Sequence, residues 1–368
     1  MNVLLLTTHV NLGGVGIYVL SQAKGLTQRG HQVWVASSGG NLVPLLSSYG
    51  VEHLTLDIKT KSIISPKVFL ACRRVAQIVK EKNIQVIHAH TRVTQVLAHL
   101  VSQNTGVPYV TTCHGFFKPR IFRKLFSCWG GHCIAISDAV REHLVNDFNV
   151  DKQKISVVHN GVEIEKFSPQ KFSQQEKEGF KKDYGLKTGA PIIGTVARLS
   201  SVKGQQYLIL AMQRIVEKIP QAQLLLVGDG PEKENLVAQV KELGIGNKVF
   251  FGASTFDTSV PLSIMDVFVL PSLMEGLGLA IIEAQAMGLP IVASDVGGIY
   301  SIVQDGITGL LVEAKDVQGL AEAILKLVTD KQLAQSLSQA GQRQARDKLN
   351  LRQMIDGIEQ VYKDILKK

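Results

Sequence analysis

A chain of 368 residues is long for one core and predicts two domains, since single cores stop growing near about 250–300 residues. An apolar share of 45% argues against disorder, and an aromatic share of 6% argues against binding built mainly on ring stacking. The net charge of +9 is uneven: residues 1–168 hold 18 Lys and Arg against 9 Asp and Glu, whereas residues 169–368 hold 22 of each.

No Asp or Glu occurs between Lys82 and Ser137. The excess charge has two readings. The first half faces something anionic, a phospholipid surface or an acidic acceptor, or the charge serves solubility alone. No nucleic-acid partner is expected. Cys72, Cys113, Cys128 and Cys133 form no CxxC pair and stand beside no His cluster, so neither a disulfide framework nor a structural metal is expected. The N-terminus lacks the basic start of a signal peptide, and no run approaches the roughly 20 apolar residues of a membrane span. The expectation is a cytoplasmic protein, at most peripheral on the inner face of a membrane.

Residues 2–8 and 31–37 read as strands around Gly13-Gly14-Val15-Gly16 and a helix, which makes a βαβ opening. The glycines suit a phosphate at a helix N-terminus, but a tight turn without a ligand fits equally well. The second strand ends Ser37-Ser38-Gly39-Gly40, without the acid that a dinucleotide ribose needs, which disfavours a nicotinamide dehydrogenase. The alternation continues with a helix over about 66–82, a strand at 86–88, a helix over about 93–103 and a strand at 109–112. His114-Gly115 then stands at a strand's carboxyl end, where α/β sheets hold ligands. His88, His90 and His99 read more simply as buried, hydrogen-bonded histidines. Residues 116–126 mix aromatics with bases. An amphipathic helix at a membrane interface and an aromatic stripe on the core both remain open. Ser137 is placed to cap the next helix. A polar, lysine-rich stretch from Pro169 to about Lys187 reads as the linker and first helix of a second domain.

The second domain repeats the alternation. Arg198 and Lys203 follow its first strand, and Gly228-Asp229-Gly230-Pro231 opens a later helix. The strand Val267-Phe268-Val269-Leu270 leads into Pro271-Ser272-Leu273-Met274-Glu275-Gly276-Leu277-Gly278-Leu279 and a helix closed by Gly288. Free N–H groups at that helix start suit a diphosphate. Two helical periods would carry Glu283 back to the side of Glu275. Carboxylates beside an anion site make sense as acceptors from sugar or ribose hydroxyls, and Arg198 with Lys203 would neutralise the diphosphate. Three helices, over about 316–328, 331–346 and 350–366, close the chain.

These motifs, with Asn160-Gly161-Val162, Asp305-Gly306-x-Thr308-Gly309 and the run Glu283-Ala284-x-Ala286-x-Gly288-x-Pro290-Ile291-Val292-Ala293-Ser294, resemble the retaining glycosyltransferases of family 4, the "group 1" transferases. The resemblance spans nearly the whole chain. It implies the GT-B fold, an α/β architecture of two Rossmann-like parallel-sheet domains facing a central cleft. Residues 1–168 would be the acceptor domain, residues 187–349 the donor domain, and residues 350–368 a crossover helix returning to the first. It further implies that Glu275 holds donor-sugar hydroxyls, Glu283 the ribose, and Arg198 and Lys203 the diphosphate. Leu277, Gly278 and Leu279 would meet phosphate or sugar through their backbone. Gly16 would approach the diphosphate, His114 would lie by the transferred sugar, and Gly252 and Ala253 would border the base. His114, Glu275, Arg198 and Lys203 are thus the expected catalytic set. The first loop departs from many relatives, which carry an acid after these glycines.

The expected reaction is retaining transfer from a nucleoside-diphosphate sugar, a substrate rather than a cofactor, without a metal ion. The acceptor would be a hydroxyl of a lipid-linked intermediate in envelope polysaccharide or lipopolysaccharide assembly. Two alternatives share the architecture: a nucleotide-sugar 2-epimerase, and a binding protein without catalysis.

Overall fold

The computed structural model describes all residues except 61, 64, 120–122, 124, 125 and 368. Two compact units result. Met1–Asn160 and Leu351–Lys368 form the first, and Gly161–Asn350 forms the second.

The first unit is built on seven parallel strands: β1 (Asn2–Leu6), β2 (Gln32–Ser37), β3 (Glu52–Thr55), β4 (Val86–Ala89), β5 (Tyr109–Cys113), β6 (His132–Ala135) and β7 (Ile155–Val157). Their order is β3-β2-β1-β4-β5-β6-β7. Residues such as Leu4, Leu5, Val86 and Ile87 are fully buried, as expected of strands covered on both faces. Helices α1 (Gly14–Gln28), α2 (Val43–Ser48), α3 (Pro66–Glu81), α4 (Arg92–Thr105) and α5 (Asp138–Phe148) connect them. The chain runs outward from β1 to β3, then returns to place β4 on the other side of β1. The connections on either side of that switch leave a crevice at the carboxyl ends of β1 and β4. Thr91 and Thr94 start α4 with a reciprocal cap, and the Ser137 hydroxyl accepts from the Val140 amide at 3.2 Å to start α5.

The second unit holds six parallel strands: β8 (Ile192–Val196), β9 (Gln223–Val227), β10 (Val249–Gly252), β11 (Val267–Leu270), β12 (Ile291–Ser294) and β13 (Leu310–Val312). Their order is β10-β9-β8-β11-β12-β13, so the switch lies between β8 and β11. Helices α6 (Gln174–Asp183), α7 (Gln205–Lys218), α8 (Lys233–Glu242), α9 (Ser259–Ser263), α10 (Leu279–Ala286), α11 (Val317–Thr329) and α12 (Lys331–Lys348) complete it.

The last helix, α13 (Leu351–Leu366), packs on α1 in the first unit. Glycines make the close approach possible on both sides. A Cβ on Gly25 would lie 2.5 Å from Ile355 Cγ1, and one on Gly357 would lie 3.0 Å from both Val158 methyls. Arg29 reaches Asp356 at 2.6 Å and Glu359 at 3.1 Å, and His31 reaches Glu359 at 2.7 Å. With α13 counted in, the first unit carries 21 Lys and Arg against 10 Asp and Glu, and the second 19 against 21. The charge asymmetry of the halves is therefore sharper between the folded units.

Two local expectations change, and a third falls partly outside the described residues. Strand β3 and helix α2 fill a stretch in which the sequence pattern suggested no element; both are short, at four and six residues. Strand β1 stops at Leu6, before Thr7 and Thr8. In the aromatic–basic segment, residues 120–122, 124 and 125 lie outside the described residues. Of the remainder, Phe116 and Phe117 pack on His143, with ring centroids 5.3 and 6.3 Å away, while Phe126 is exposed. The four cysteines are free and buried.

Candidate active site

In the second unit, the loops that leave β8 and β11 are locked together at the switch point. Gly204 takes a left-handed conformation (φ 67°) and presses so closely on the chain that a Cβ would lie 2.0 Å from the Pro271 carbonyl. The Leu273 amide donates to the Val202 carbonyl at 2.7 Å. On this scaffold the Lys203 ammonium donates to the Glu275 carboxylate, whose Oε2 also lies 3.4 Å from the Ser272 hydroxyl. The Glu275 side chain is only 14% exposed, so this is not a fully solvated surface pair. Its carbonyl accepts from the Gly298 amide at 2.8 Å, which ties the loop after β12 to the same place.

Gly278 precedes α10 in a left-handed conformation (φ 98°) that few other residues adopt. This corrects the helical phase expected between the two acids. The chain from Glu275 to Gly278 is not helical, so the period of 3.6 residues starts only at Leu279. The acids consequently meet different partners. Glu283, on α10, accepts from the Thr258 hydroxyl at 2.9 Å. It keeps some access to the surface, yet the protein packed around it strips away enough water to raise its pKa to about 7. The Thr258 bond and the Lys166 charge oppose that rise, and Asp257 adds to it. Asp257 accepts from the Ser259 hydroxyl at 2.6 Å and faces Lys166 and Lys171 at 3.7 and 3.8 Å.

Arg198 is exposed at the end of β8, and its carbonyl accepts from Gln205 Nε2 at 3.0 Å. Beside it, Gly228 and Gly230 let the loop after β9 approach the backbone of Ala197 and Leu199. Each would place a Cβ 2.1 Å from the corresponding carbonyl oxygen. Asp229 accepts from the Ser254 amide at 2.9 Å and from Lys233 at 3.1 Å. The Ser254 amide in particular holds its pKa down to about 2. The loop that carries Gly252 and Ala253 is fixed by this bond and by the Gly228 amide, which donates to the Gly252 carbonyl at 3.0 Å. A side chain at Gly252 would strike the Tyr184 ring at 2.6 Å.

In the first unit, His114 is half-buried at the edge of an aromatic cluster whose His88 and His90 are buried. His90 Nδ1 lies 3.3 Å from His114 Nε2, the His88 and His90 rings stack at 4.4 Å, and Tyr18 meets His114 edge-on at 4.7 Å. Behind them, Gln22 Nε2 donates at 2.8 Å toward both His88 Nδ1 and the Tyr362 hydroxyl of α13, which lies 2.6 Å from the same Nδ1 and donates to it. His88 therefore carries its proton on Nε2 and donates it to Thr112 at 2.7 Å. Burial pushes the pKa of His88 and of His114 down to about 3 and that of His90 well below its ordinary value, so all three rings are neutral. His99 stands apart and bonds Tyr109 at 3.1 Å. Gly16, in the first turn of α1, has a packing reason: its Cβ would lie 2.0 Å from the Asn11 carbonyl.

Residues 12–166 match the family described as Glycosyltransferase Family 4, and residues 176–344 match the family described as Glycosyl transferases group 1. The chain belongs to the group 1 glycosyltransferases. It is similar to N-acetyl-alpha-D-glucosaminyl L-malate synthase of Bacillus anthracis, at 26% identity over 98% of this chain and 97% of the relative. It is also similar to the UDP-Gal:alpha-D-GlcNAc-diphosphoundecaprenol alpha-1,3-galactosyltransferase of Escherichia coli, at 29% identity over 79% of this chain and 78% of the relative. Among solved structures, that of Anabaena HepE in complex with UDP-glucose shares the fold, with a TM-score of 0.86 at 23% identity over all of both chains. The two parallel-sheet units of this glycosyltransferase are those of the GT-B fold.

The structure brings Lys203, Glu275, Gly278 and the backbone of residues 276–279 to one switch point of the glycosyltransferase, with Arg198 at the same strand end. Leu277 is buried, which leaves only its backbone for a ligand. Glu283 lies on α10 beside Thr258, near the loop that follows Gly252 and Ala253. Sequence reasoning missed Thr258, Asp257, Lys166 and Asp229. The Gly-Asp-Gly-Pro motif did single out Asp229, but only as a helix opening; nothing local marks the other three. It also missed Gln22 and Tyr362, which sit in amphipathic helices that read as packing alone.

Proposed function

We propose that this glycosyltransferase moves a sugar, with retention of configuration, from a nucleoside-diphosphate donor to a hydroxyl of a lipid-linked envelope intermediate. The observation that carries the donor half is the Lys203–Glu275 pair beside the left-handed Gly278 and the start of α10. Helix-start amides, Arg198 and Lys203 supply positive charge for a diphosphate. Glu275 supplies an acceptor for sugar hydroxyls, and Glu283 one for the ribose. The UDP-glucose bound by Anabaena HepE supports the donor class.

In the reaction, the bond from the anomeric carbon to the diphosphate oxygen breaks. The bond to the acceptor oxygen forms on the same face, and the acceptor's hydroxyl proton passes to the leaving diphosphate. Arg198 and Lys203 steady the charge that develops on that group. A double displacement would need a carboxylate nucleophile about 5 Å from a partner acid. The stretch around His114 holds no acid, and Glu275, the nearest candidate, is used instead as the acceptor of sugar hydroxyls. His114, neutral, serves as a hydrogen-bonding group toward the sugar. Two cations on the diphosphate make the reaction independent of a metal ion, so EDTA leaves turnover unchanged.

The acceptor reading rests on the basic first unit and on the diphosphoundecaprenol-linked substrate in the name of the Escherichia coli relative. A second reading, a small carboxylate acceptor, has its own support in the malate of the Bacillus anthracis relative's name. A thermal-shift screen against UDP-, GDP- and ADP-sugars identifies the donor, because a ligand at a hundred times its Kd adds about 2.7 kcal/mol of apparent stability. Transfer assays with an undecaprenyl-diphosphate sugar and with malate then separate the acceptors, and NMR of the product reads the anomer. An inverted product, or epimerised donor formed without acceptor, overturns the proposal.

A further inference from the structure

Among the described residues, the first unit exposes four large apolar side chains: Phe69, Leu70, Phe126 and Leu366. Phe69 is 55% and Leu70 69% exposed, and they are adjacent in the opening turns of α3. The helix buries Val68, Ala71 and Val75 against the sheet and α4, so these two side chains are surplus to its core stripe. Arg73 and Arg74, both exposed, follow one helical turn later on the same outward face, and Lys67 precedes them. The nearby acids are few. Asp57 pairs with Lys67 at 2.8 Å, and Glu81 lies 4.0 Å from Arg74 at the far end of the helix.

Topology gives the patch its place. Helix α3 follows β3 and α4 follows β4, so both begin at the carboxyl rim of the parallel sheet, the rim that also carries His114. Arg92, the first residue of α4, donates to the carbonyls of Phe126 and Ser127 and so holds the exposed Phe126 at that rim. No acid occurs in the chain from Lys82 to Ser137, which includes α4 and this segment. Two or three apolar side chains are far too few for a specific protein interface, which takes about 20–30 residues a side. They suit a fluid partner that needs no matching shape, and the flanking cations require it to be anionic.

We propose that Phe69 and Leu70, flanked by Lys67, Arg73 and Arg74, are the point at which the first unit inserts into an anionic bilayer. This rests on the lipid-linked acceptor proposed above, since a bilayer seated there delivers such an acceptor to the rim that holds His114.

Flotation with phosphatidylglycerol vesicles tests it, with phosphatidylcholine vesicles as the control. The protein floats with the anionic vesicles at low salt and not with the neutral ones. Phe69→Ser/Leu70→Ser loses at least about tenfold of that binding, and Arg73→Glu/Arg74→Glu loses it as well. Both variants keep the wild-type melting temperature, because the side chains are exposed, and both keep thermal-shift responses to donor sugars. If the wild type floats and Phe69→Ser/Leu70→Ser floats equally well, the insertion point is overturned while membrane docking stands. If the wild type stays with the bulk solution, docking and insertion point both fall. A concentration-dependent dimer that is abolished by the same double substitution, without vesicle binding, would make the patch an interface between copies and overturn the proposal.

Discussion

Lys203 and Glu275 stand 72 residues apart in the chain, yet they share an ion pair across two loops that leave neighbouring strands. Each residue balances the other's charge where the proposed diphosphate and sugar meet. The two should therefore be separable by substitution. Glu275→Ala lowers kcat by about a hundredfold or more, the scale of a lost polar contact in a transition state, and keeps nucleoside-diphosphate binding. Lys203→Ala weakens nucleoside-diphosphate binding, read by calorimetry. Nucleotide affinity lost in Glu275→Ala, with sugar transfer intact, would reverse the roles.

The backbone lock under that pair has its own consequence. Gly204→Ala forces a Cβ against the Pro271 carbonyl at a positive φ. We expect a loss of about 2–3 kcal/mol in the second unit, measured by calorimetry, together with weaker donor binding. A variant with unchanged melting and unchanged affinity would show that the two loops do not depend on this contact.

Glu283 makes stability depend on pH. Its folded pKa, about 7, lies above its unfolded value, so between about pH 4.5 and 7 the folded chain holds a proton that the unfolded chain has lost. Stability from this group is fully present below about 4.5 and is lost as pH rises through 7. Glu283→Gln should then gain stability over the wild type as pH rises from 5 to 8, by roughly 1 kcal/mol once residual solvation is allowed for. The same variant binds donor more weakly. A stability difference independent of pH would remove the buried carboxylate from this account.

The histidine cluster has the opposite sign. The folded pKa values of His88 and His114, about 3, lie below the unfolded value near 6.5. In that window the unfolded rings take protons that the folded rings refuse, so stability is full above about 6.5 and falls with falling pH. Each ring contributes a slope of up to about 1.4 kcal/mol per pH unit. Both tryptophans, Trp34 and Trp129, lie in the first unit. Urea unfolding followed by their fluorescence at pH 5 and 7 reads this unit alone. Turnover should show no acid limb near pH 6.5 from His114; a limb there that disappears in His114→Gln would contradict its neutral state.

The glycine-rich turns and strand-end residues were legible in the sequence because they are local. Gly228, Gly230 and Gly278 mark where backbone comes close or turns left-handed, and short apolar runs mark the strands between them. What was not legible is pairing at a distance. Nothing in the neighbourhood of Glu275 indicates Lys203 as its partner rather than a ligand. Nothing near Glu283 indicates Thr258, whose α9 is one of the shortest helices. Helical phase misled where Gly278 interrupts the helix it was counted through. Tyr362 reads as one more apolar position on α13, and only the fold shows its hydroxyl among Gln22 and His88.

The placement of α13 also orders events during synthesis. Residues 161–350 form one continuous unit, whereas the first unit needs residues from both ends of that stretch. As the chain emerges, the earlier-made unit waits for the later-made helix: Gly25 has no Ile355 to receive, and His88 no Tyr362, until the second unit is already out. The unit made first is thus the unit finished last, and a chain cut short after Asn350 would leave a ribosome with its second unit whole and its first still open.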